Sequence, residues 1–349
     1  MFLRNFWYVG ASVDEVQDKP LGRTVLNEPI VFFRAGDGHV AAMEDRCAHR
    51  RLPLSMGMVI DGVLQCHYHG LRFDRTGKCV CVPGQDHIPS LAKVKTYPVV
   101  ERYKWIWIWM GDPALADPDQ ITDFHWLDDP EWGAKTSYLH VDANWQLVVD
   151  NLLDLTHLAF VHETTIGNSA LVENAAVRVQ RQGNNNVLVT RWMIDTPPPP
   201  TFVKVGGFTG NVDRWQIIAF TPPAFLRLDV GACPTGTGAP EGRRIDGISM
   251  RNLNAITPET EKTSHYFWGQ CHSFDVKNPE TTEKIFRQIE TAFHEDVAVF
   301  QAQQRSIDQR PDAPQVDINA DAGTIQARRI LDRLYAEEQA ASSHAAAAE

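Results

Sequence analysis

Four residues near the start of the chain have side chains suited to holding metal. Cys47-Ala48-His49 is followed, after sixteen residues, by Cys66-His67-Tyr68-His69. Cysteine offers a soft thiolate and histidine a neutral imidazole, and each pair is close enough for one tight loop to aim both side chains at one site. Two such loops suit either a single tetrahedral zinc ion or a [2Fe–2S] cluster with two cysteines on one iron and two histidines on the other. Three features favour the cluster. Each loop contributes one Cys and one His, whereas zinc motifs more often pair like with like. Gly70 and Pro83-Gly84 suit close backbone approach to cluster sulfurs. The surrounding segment reads as strands, which suits a small β domain. Cys47, His49, Cys66 and His69 are the candidate ligands. The spacing leaves His67 out, and Cys79 and Cys81 read as packing residues.

A second constellation lies in Asp150-Asn151-Leu152-Leu153-Asp154-Leu155-Thr156-His157-Leu158-Ala159-Phe160-Val161-His162. Two histidines and an acid sit in an apolar helical pattern over about 144–162. In a regular helix, residues five apart are about 140° out of phase. His157 and His162 therefore reach one metal only where the helix ends or widens, and a π-type bulge is the expected distortion. Two imidazoles and a carboxylate make the facial triad of non-haem Fe(II) oxygenases, with positions left open. The carboxylate is sought on a later helix, about 281–305, whose apolar stripe is Phe286, Ile289, Phe293, Val297 and Phe300. Asp296 lies within or beside that stripe, so it is the candidate ligand. Glu295 is expected to point roughly opposite. Asp154, three residues before His157, is expected to reach the outer N–H of that ring with its carboxylate.

The elements that must position these residues divide in two. Residues 1–112 read as mostly β, ending in Trp105-Ile106-Trp107-Ile108-Trp109, which places Trp on one face and Ile on the other with both buried. An Asp- and Pro-rich stretch, 113–135, reads as a linker. Strands and helices then mix over 136–339, including strands near 187–194 and 215–218 and loops at 196–201 and 231–244, and 340–349 reads as a frayed tail after a helix ending at Gln339. The fold class is α+β. The 349 residues exceed one ordinary core. With 33 Lys plus Arg against 44 Asp plus Glu, the net charge of −11 argues against nucleic acid or an anionic membrane as partner. Six cysteines are too few for a disulfide scaffold, and no secretory signal or run long enough to span a membrane is seen, so the expected location is the cytoplasm.

Both constellations, in this order, resemble the oxygenase component of Rieske non-haem iron monooxygenases. The likeness is to vanillate O-demethylase oxygenase subunits, with toluenesulfonate methyl-monooxygenase and dicamba O-demethylase beside them. It is carried by Asn5-Phe6-Trp7-Tyr8-Val9, by the two Cys/His loops, by Tyr97-Pro98-Val99-Val100-Glu101-Arg102, by the segment from Val149 to His157, by Asp213-Arg214-Trp215-Gln216, by Ser264-His265-Tyr266-Phe267-Trp268 and by Glu295-Asp296.

The resemblance implies a Rieske [2Fe–2S] domain followed by a helix-grip catalytic domain. It implies a homotrimer in which one subunit's cluster faces the next subunit's iron. It carries His157, His162 and Asp296 to a mononuclear Fe(II), matches Asp154 to an acid bridging the two centres, and matches Asn151 to a polar residue near the iron. It further implies O₂ as co-substrate and NADH acting through a separate flavin/[2Fe–2S] ferredoxin reductase, since the sequence has no convincing nucleotide-binding fingerprint. The expected reaction is O-demethylation of a small aromatic methoxy acid, releasing formaldehyde. Methyl hydroxylation of an arylsulfonate is the alternative, and an electron carrier without catalysis is the alternative of a different class. Arg251, Asn254 and His265 are candidates to meet the substrate, and Arg46, Arg50 and Arg51 to dock an acidic electron partner or a neighbouring subunit.

Overall fold

The structure is a computed structural model and describes residues 2–163, 166 and 176–348. It comprises two compact units, one of Met1–Ile121 with Thr257–Glu261, the other of Thr122–Ile256 with Lys262–Glu349. The stretch read as a linker is thus shared between them. It is built of 3-10 turns at Pro113–Leu115, Pro118–Gln120 and His125–Leu127. The carboxylates of Asp112 and Asp117 cap the first two by accepting from Ala114 and Asp119 N–H, which is why the Asp-Pro pairs recur there.

The strands of the first unit pair antiparallel throughout. One sheet of three strands orders Trp7–Ser12, Trp105–Trp109 and Val99–Arg102. As the alternation predicts, every residue of Trp105–Trp109 is buried. Ile106 and Ile108 pack with Tyr8 and Phe32, while the Trp107 and Trp109 indoles donate to the carbonyls of Arg102 (3.0 Å) and Asp112 (2.8 Å). Two four-stranded sheets complete the unit. One contains Val40–Glu44, which leads into the Cys47 loop. The other contains Val63–Gln65 and Arg72–Phe73, which flank the Cys66 loop.

The second unit is a seven-stranded antiparallel sheet with helices against it. The order is Gly133–Val141, Ser264–His272, Ile248–Pro258, Phe225–Pro234, Val212–Thr221, Asn186–Thr196 and Ala176–Gln182. The long helix Pro279–Gln309 begins at Asn278, whose side chain caps Glu280 N–H at 3.1 Å, with proline at its first position. Its apolar stripe faces the sheet. Phe286 stacks on the fully buried Trp268 with ring centroids 4.8 Å apart, and Phe293 meets the same indole edge-on at 4.9 Å. Such aromatic pairs add about 0.5–1.5 kcal/mol each beyond area burial.

Two expectations about local structure change. The 196–201 loop leads directly into a short helix, Pro200–Gly206, with Pro200 at its first position. The last helix spans Ala322–Ala348, past the expected stop at Gln339, because its final stretch is rich in alanine, the strongest helix former. Among the described residues no helix is long and apolar enough to cross a membrane.

Candidate metal centres

The two Cys/His loops have the same backbone construction. Cys47 N–H donates to Leu52 O at 2.9 Å and Cys66 N–H to Leu71 O at 2.8 Å. The Cys47 carbonyl accepts from Arg51 N–H at 3.0 Å and the Cys66 carbonyl from Gly70 N–H at 3.1 Å. Each loop therefore closes over the residue four after its cysteine, and that residue has positive φ, 62° at Arg51 and 71° at Gly70. Glycine is suited to this conformation; Arg51 holds it as an ordinary L-residue. The closure presses both thiols inward, to 2% exposure each, and leaves His49 and His69 at the surface with ring centroids 4.6 Å apart. Burial pushes the Cys47 thiol up to about 11, helped by the neighbouring Cys66 side chain.

This sorting of donors bears on the choice between zinc and a cluster. Among the described residues, the set of three or more metal-binding side chains mutually within 4.8 Å is His157, His162 and Asp296, and the Cys/His foursome is not such a set. Four donors around one zinc ion, with bonds of about 2.0–2.3 Å, would crowd more closely than that. Two inner thiols and two outer imidazoles fit a two-iron cluster instead.

In the second unit the motif helix is not continuous. Trp145–Leu153 is α-helical, a 3-10 turn spans Leu155–His157, and a short helix Leu158–Val161 stops before His162. The distortion that the five-residue spacing demands is present, as a break and an ending rather than a π-bulge. Asp154 makes the break. Its carboxylate accepts from Thr156 N–H at 2.9 Å and Thr156 Oγ1–H at 2.8 Å, restarting the chain as a new turn. Arg328 on the last helix pairs with Asp150 and ties the motif helix down from the other side.

The break turns both imidazoles toward one point. His157 Nε2 lies 3.5 Å and His162 Nε2 3.0 Å from Asp296 Oδ1. Asn151 Nδ2 reaches the same oxygen at 3.2 Å and His157 Nε2 at 3.3 Å. His162 is 1% and Asp296 4% exposed, and the cavity beside them is walled by Leu155, Leu158, Phe202, Ile289 and Phe293. The outer ring nitrogens are both occupied. His157 Nδ1 is 2.7 Å from the Asp154 backbone carbonyl and His162 Nδ1 is 2.6 Å from Glu295 Oε2. Oxygen acceptors there keep the proton on Nδ1 and leave both Nε2 lone pairs directed at the shared point. Two imidazoles and one carboxylate on one side of an apolar cavity fit a facial-triad iron with open positions.

The electrostatics of the two rings differ. Burial lowers His157 below the ordinary imidazole range despite Asp296. Burial also pulls His162 down, but the Asp296 and Glu295 carboxylates outweigh it and hold this ring above that range.

Three sequence expectations need correction. Asp154 does not reach the His157 ring with its carboxylate; the backbone carbonyl makes that contact, because the helix break turns the side chain onto Thr156 and to within 3.6 Å of Arg191. Glu295 does not point away. It holds His162, which a helix continuing through that histidine would have prevented. Its adjacency to Asp296 was the available signal, since neighbouring helix positions differ by only about 100°. Replacing Glu295 with glutamine is expected to weaken iron retention in the second unit by about 10–100-fold, the usual cost of losing such a supporting contact, with the cluster spectrum unchanged. Iron titration of the apo-protein checks this.

Finally, none of Arg251, Asn254 and His265 lines the cavity. Arg251 pairs with Asp229 and lies over the Trp126 and Trp132 rings. Asn254 bonds Asn252 and Tyr266, and His265 meets Tyr138 Oη at 2.9 Å.

Comparison with known proteins agrees with both centres. Residues 6–98 match the Rieske [2Fe–2S] domain and residues 141–337 the vanillate O-demethylase oxygenase C-terminal domain. The chain is 47% identical over 341 residues to a toluene-4-sulfonate monooxygenase system iron-sulfur subunit of Comamonas testosteroni, covering 97% of this chain and 98% of the relative. It is 40% identical over 350 residues to a vanillate O-demethylase oxygenase subunit of a Pseudomonas species, covering 99% and 98%. The crystal structure of dicamba monooxygenase bound to 3,6-dichlorosalicylic acid superposes with a TM-score of 0.90 at 35% identity, over 97% of this chain and 99% of that one. The chain belongs to the Rieske non-haem iron monooxygenases, among the oxygenase components whose catalytic half is the vanillate O-demethylase oxygenase C-terminal domain.

Proposed function

We propose that this chain is the oxygenase component of a multi-component monooxygenase that O-demethylates a small aromatic methoxy acid. The observation that carries the reading is the pair of Nε2 atoms converging on Asp296 Oδ1 at the wall of an apolar cavity. Cys47, His49, Cys66 and His69 would hold the [2Fe–2S] cluster, and His157, His162 and Asp296 the mononuclear iron. When bound, the cluster supplies single electrons and the iron a site for O₂. The balance is Ar–OCH₃ + O₂ + NADH + H⁺ → Ar–OH + HCHO + NAD⁺ + H₂O. The oxidised methyl carbon leaves as formaldehyde after collapse of a hemiacetal.

The chain's own residues position and shield. Asp154 O and Glu295 hold protons on the outer ring nitrogens, Asn151 directs its amide at Asp296 Oδ1, and the Leu155, Leu158, Phe202 and Phe293 side chains exclude bulk water. We further propose a homotrimer in which Asp154 lies on the path between one subunit's cluster and the next subunit's iron. NADH would act through a separate reductase carrying flavin and [2Fe–2S].

Identity to the toluenesulfonate relative supports a second reading, hydroxylation of an aryl methyl group on the same site. An electron carrier would need only the first unit; the matched second domain weighs against it. The test is product analysis with a reconstituted reductase, offering methoxybenzoates, methoxyphenols and arylsulfonates. Stoichiometric formaldehyde with a phenol supports O-demethylation, a benzylic alcohol supports the second reading, and consumption of none overturns both.

The arginines beside the Cys47 loop divide into two kinds. Arg46 pairs with Glu44, whereas Arg50 and Arg51 are exposed. Arg50→Glu is the cleaner probe of docking, since Arg51 occupies a positive-φ position that shapes the loop. The expected outcome is reduction by the reductase slowed about 10-fold at low ionic strength, the difference shrinking as salt screens the charge. Stopped-flow reduction at two salt concentrations checks it.

A further inference from the structure

Among the described residues, Arg214 is a buried cation facing the cavity with no carboxylate paired to it. It lies in the strand Val212–Thr221, where alternate residues face opposite sides of the sheet. Asp213 and Trp215 face away. The Asp213 carboxylate accepts from Asp195 N–H (3.1 Å) and Gly236 N–H (3.0 Å), and the Trp215 indole donates to Asp229 at 2.8 Å. Arg214 and Gln216 face inward and line the same cavity as His157, His162 and Asp296.

Arg214 is 3% exposed. Its hydrogen bond runs from Nη2 to the Ile166 carbonyl at 3.2 Å, and its guanidinium lies 5.1 Å from the Phe202 ring centroid. Its Nε and Nη1 are buried without a partner among the described residues, and so is Gln216 Oε1 beside it. The charged group recorded near it is a second buried arginine, Arg191, which has its own carboxylate 3.6 Å away in Asp154. Burial and the nearby Arg191 charge push Arg214 down to about 10, which leaves it cationic at neutral pH. A buried cation with two unused donors is costly unless something completes it, and a guanidinium edge matches a planar or tetrahedral oxyanion.

We propose that Arg214 is the residue that recognises the substrate's anionic group, binding an aromatic carboxylate or sulfonate through its free Nε–H and Nη1–H and so orienting the carbon to be oxidised toward the His157/His162/Asp296 side of the cavity. This deepens the proposed function and rests on it for the identity of the ligand as a substrate. Arg251, the arginine nearer the closing motifs of the sequence, cannot serve, because Asp229 already neutralises it.

The test is equilibrium binding to the iron-loaded enzyme, by calorimetry under anaerobic conditions. Three probes are used: 4-methoxybenzoate, 4-toluenesulfonate and the neutral 4-methoxybenzamide. The wild-type protein is expected to bind at least one acid about 100-fold more tightly than the amide, the scale set by a desolvated charged hydrogen-bonded pair. Arg214→Gln is expected to lose roughly that factor for the acid and little for the amide, and Arg214→Lys to retain part of the preference, with the iron content of all three proteins equal. Which of the two acids shows the larger loss identifies carboxylate or sulfonate as the group.

Equal affinity of the wild type for acid and amide overturns the inference, a result that needs no folded variant. An equal loss for acid and amide in Arg214→Gln overturns it as well, by marking the arginine as a support of cavity shape. Should the acids bind through Arg214 yet none be turned over with reductase, the proposed reaction fails and the binding assignment stands. Should the acids be turned over with Arg214→Gln unimpaired, the assignment fails and the reaction stands.

Discussion

Asp296→Asn is expected to empty the mononuclear site while leaving the Rieske cluster in place, and to reduce product formation by at least about 1,000-fold, as removal of a group on which a whole site depends does. The reason is geometric. Asp296 Oδ1 is the common neighbour of His157 Nε2, His162 Nε2 and Asn151 Nδ2, so this carboxylate supplies the negative charge at the point where both rings converge. An amide keeps the volume and a hydrogen-bonding oxygen, so the helix Pro279–Gln309 should pack as before. What it removes is the negative charge, without which two neutral imidazoles hold a dication weakly. Iron analysis should fall from about three to about two per chain, the two remaining being those of the cluster. The visible and low-temperature EPR signature of the reduced cluster should be unchanged. Retention of the third iron with normal turnover would remove Asp296 from the site. Loss of all iron would show instead that the substitution had unfolded the chain, and circular dichroism separates that case.

Asp154→Asn is expected to leave both metal sites occupied and still to lower turnover by about 100-fold or more, comparable to removing an electrostatic group at an active site. The geometry makes this a clean substitution. His157 is held by the backbone carbonyl of residue 154, which the change does not touch. An asparagine Oδ1 can still accept from Thr156 N–H, so the turn at the helix break survives. The charge is what disappears, and Arg191, buried and 3.6 Å away, loses its counter-ion. If Asp154 only shapes the turn, activity follows the small loss of stability. If it lies on the path between centres, a pre-reduced protein mixed with O₂ and substrate shows slow return of the oxidised cluster's absorbance and little product, at full iron content. Near wild-type return and product yield would sink the bridging role. Arg191→Gln offers a control on the charge itself: it leaves the carboxylate in place and removes its neighbour, so turnover that survives it assigns the effect to Asp154 alone.

Much of this site is legible along the chain because its donors come in local pairs. A Cys and a His two or three residues apart can share a loop whatever the rest of the protein does, and both loops prove to close with the same two backbone hydrogen bonds. The break near His157 follows from helix periodicity alone, since residues five apart diverge in an unbroken helix and a shared ligand set forbids that. Asp296 is identifiable because an acid on the buried stripe of an amphipathic helix needs a cation. The alternation of Trp105–Trp109 likewise specifies a strand buried on both faces.

Contacts between distant segments are a different matter. Glu295 and His162 meet across 133 residues, and only the ending of the short helix at Val161 turns the ring so that its Nδ1 faces that carboxylate. Asp154 has the spacing to touch His157 with its side chain, yet the local hydrogen bonds of an Asx-type turn outcompete that contact and redirect it. Arg214 shows the limit most plainly. Asp213, beside it in sequence, suggests ordinary ion pairing, but strand alternation sends that carboxylate to the opposite face, where it accepts from Asp195 and Gly236 N–H. The sequence by itself determined which residue types could bind metal and which segments carry them, because spacing and periodicity act over a few residues. Only the tertiary structure decided, among the described residues, which buried charges are paired and that Arg214 faces the cavity, because that depends on what the other strands and helices bring within about 4 Å, the range over which a buried charge is compensated.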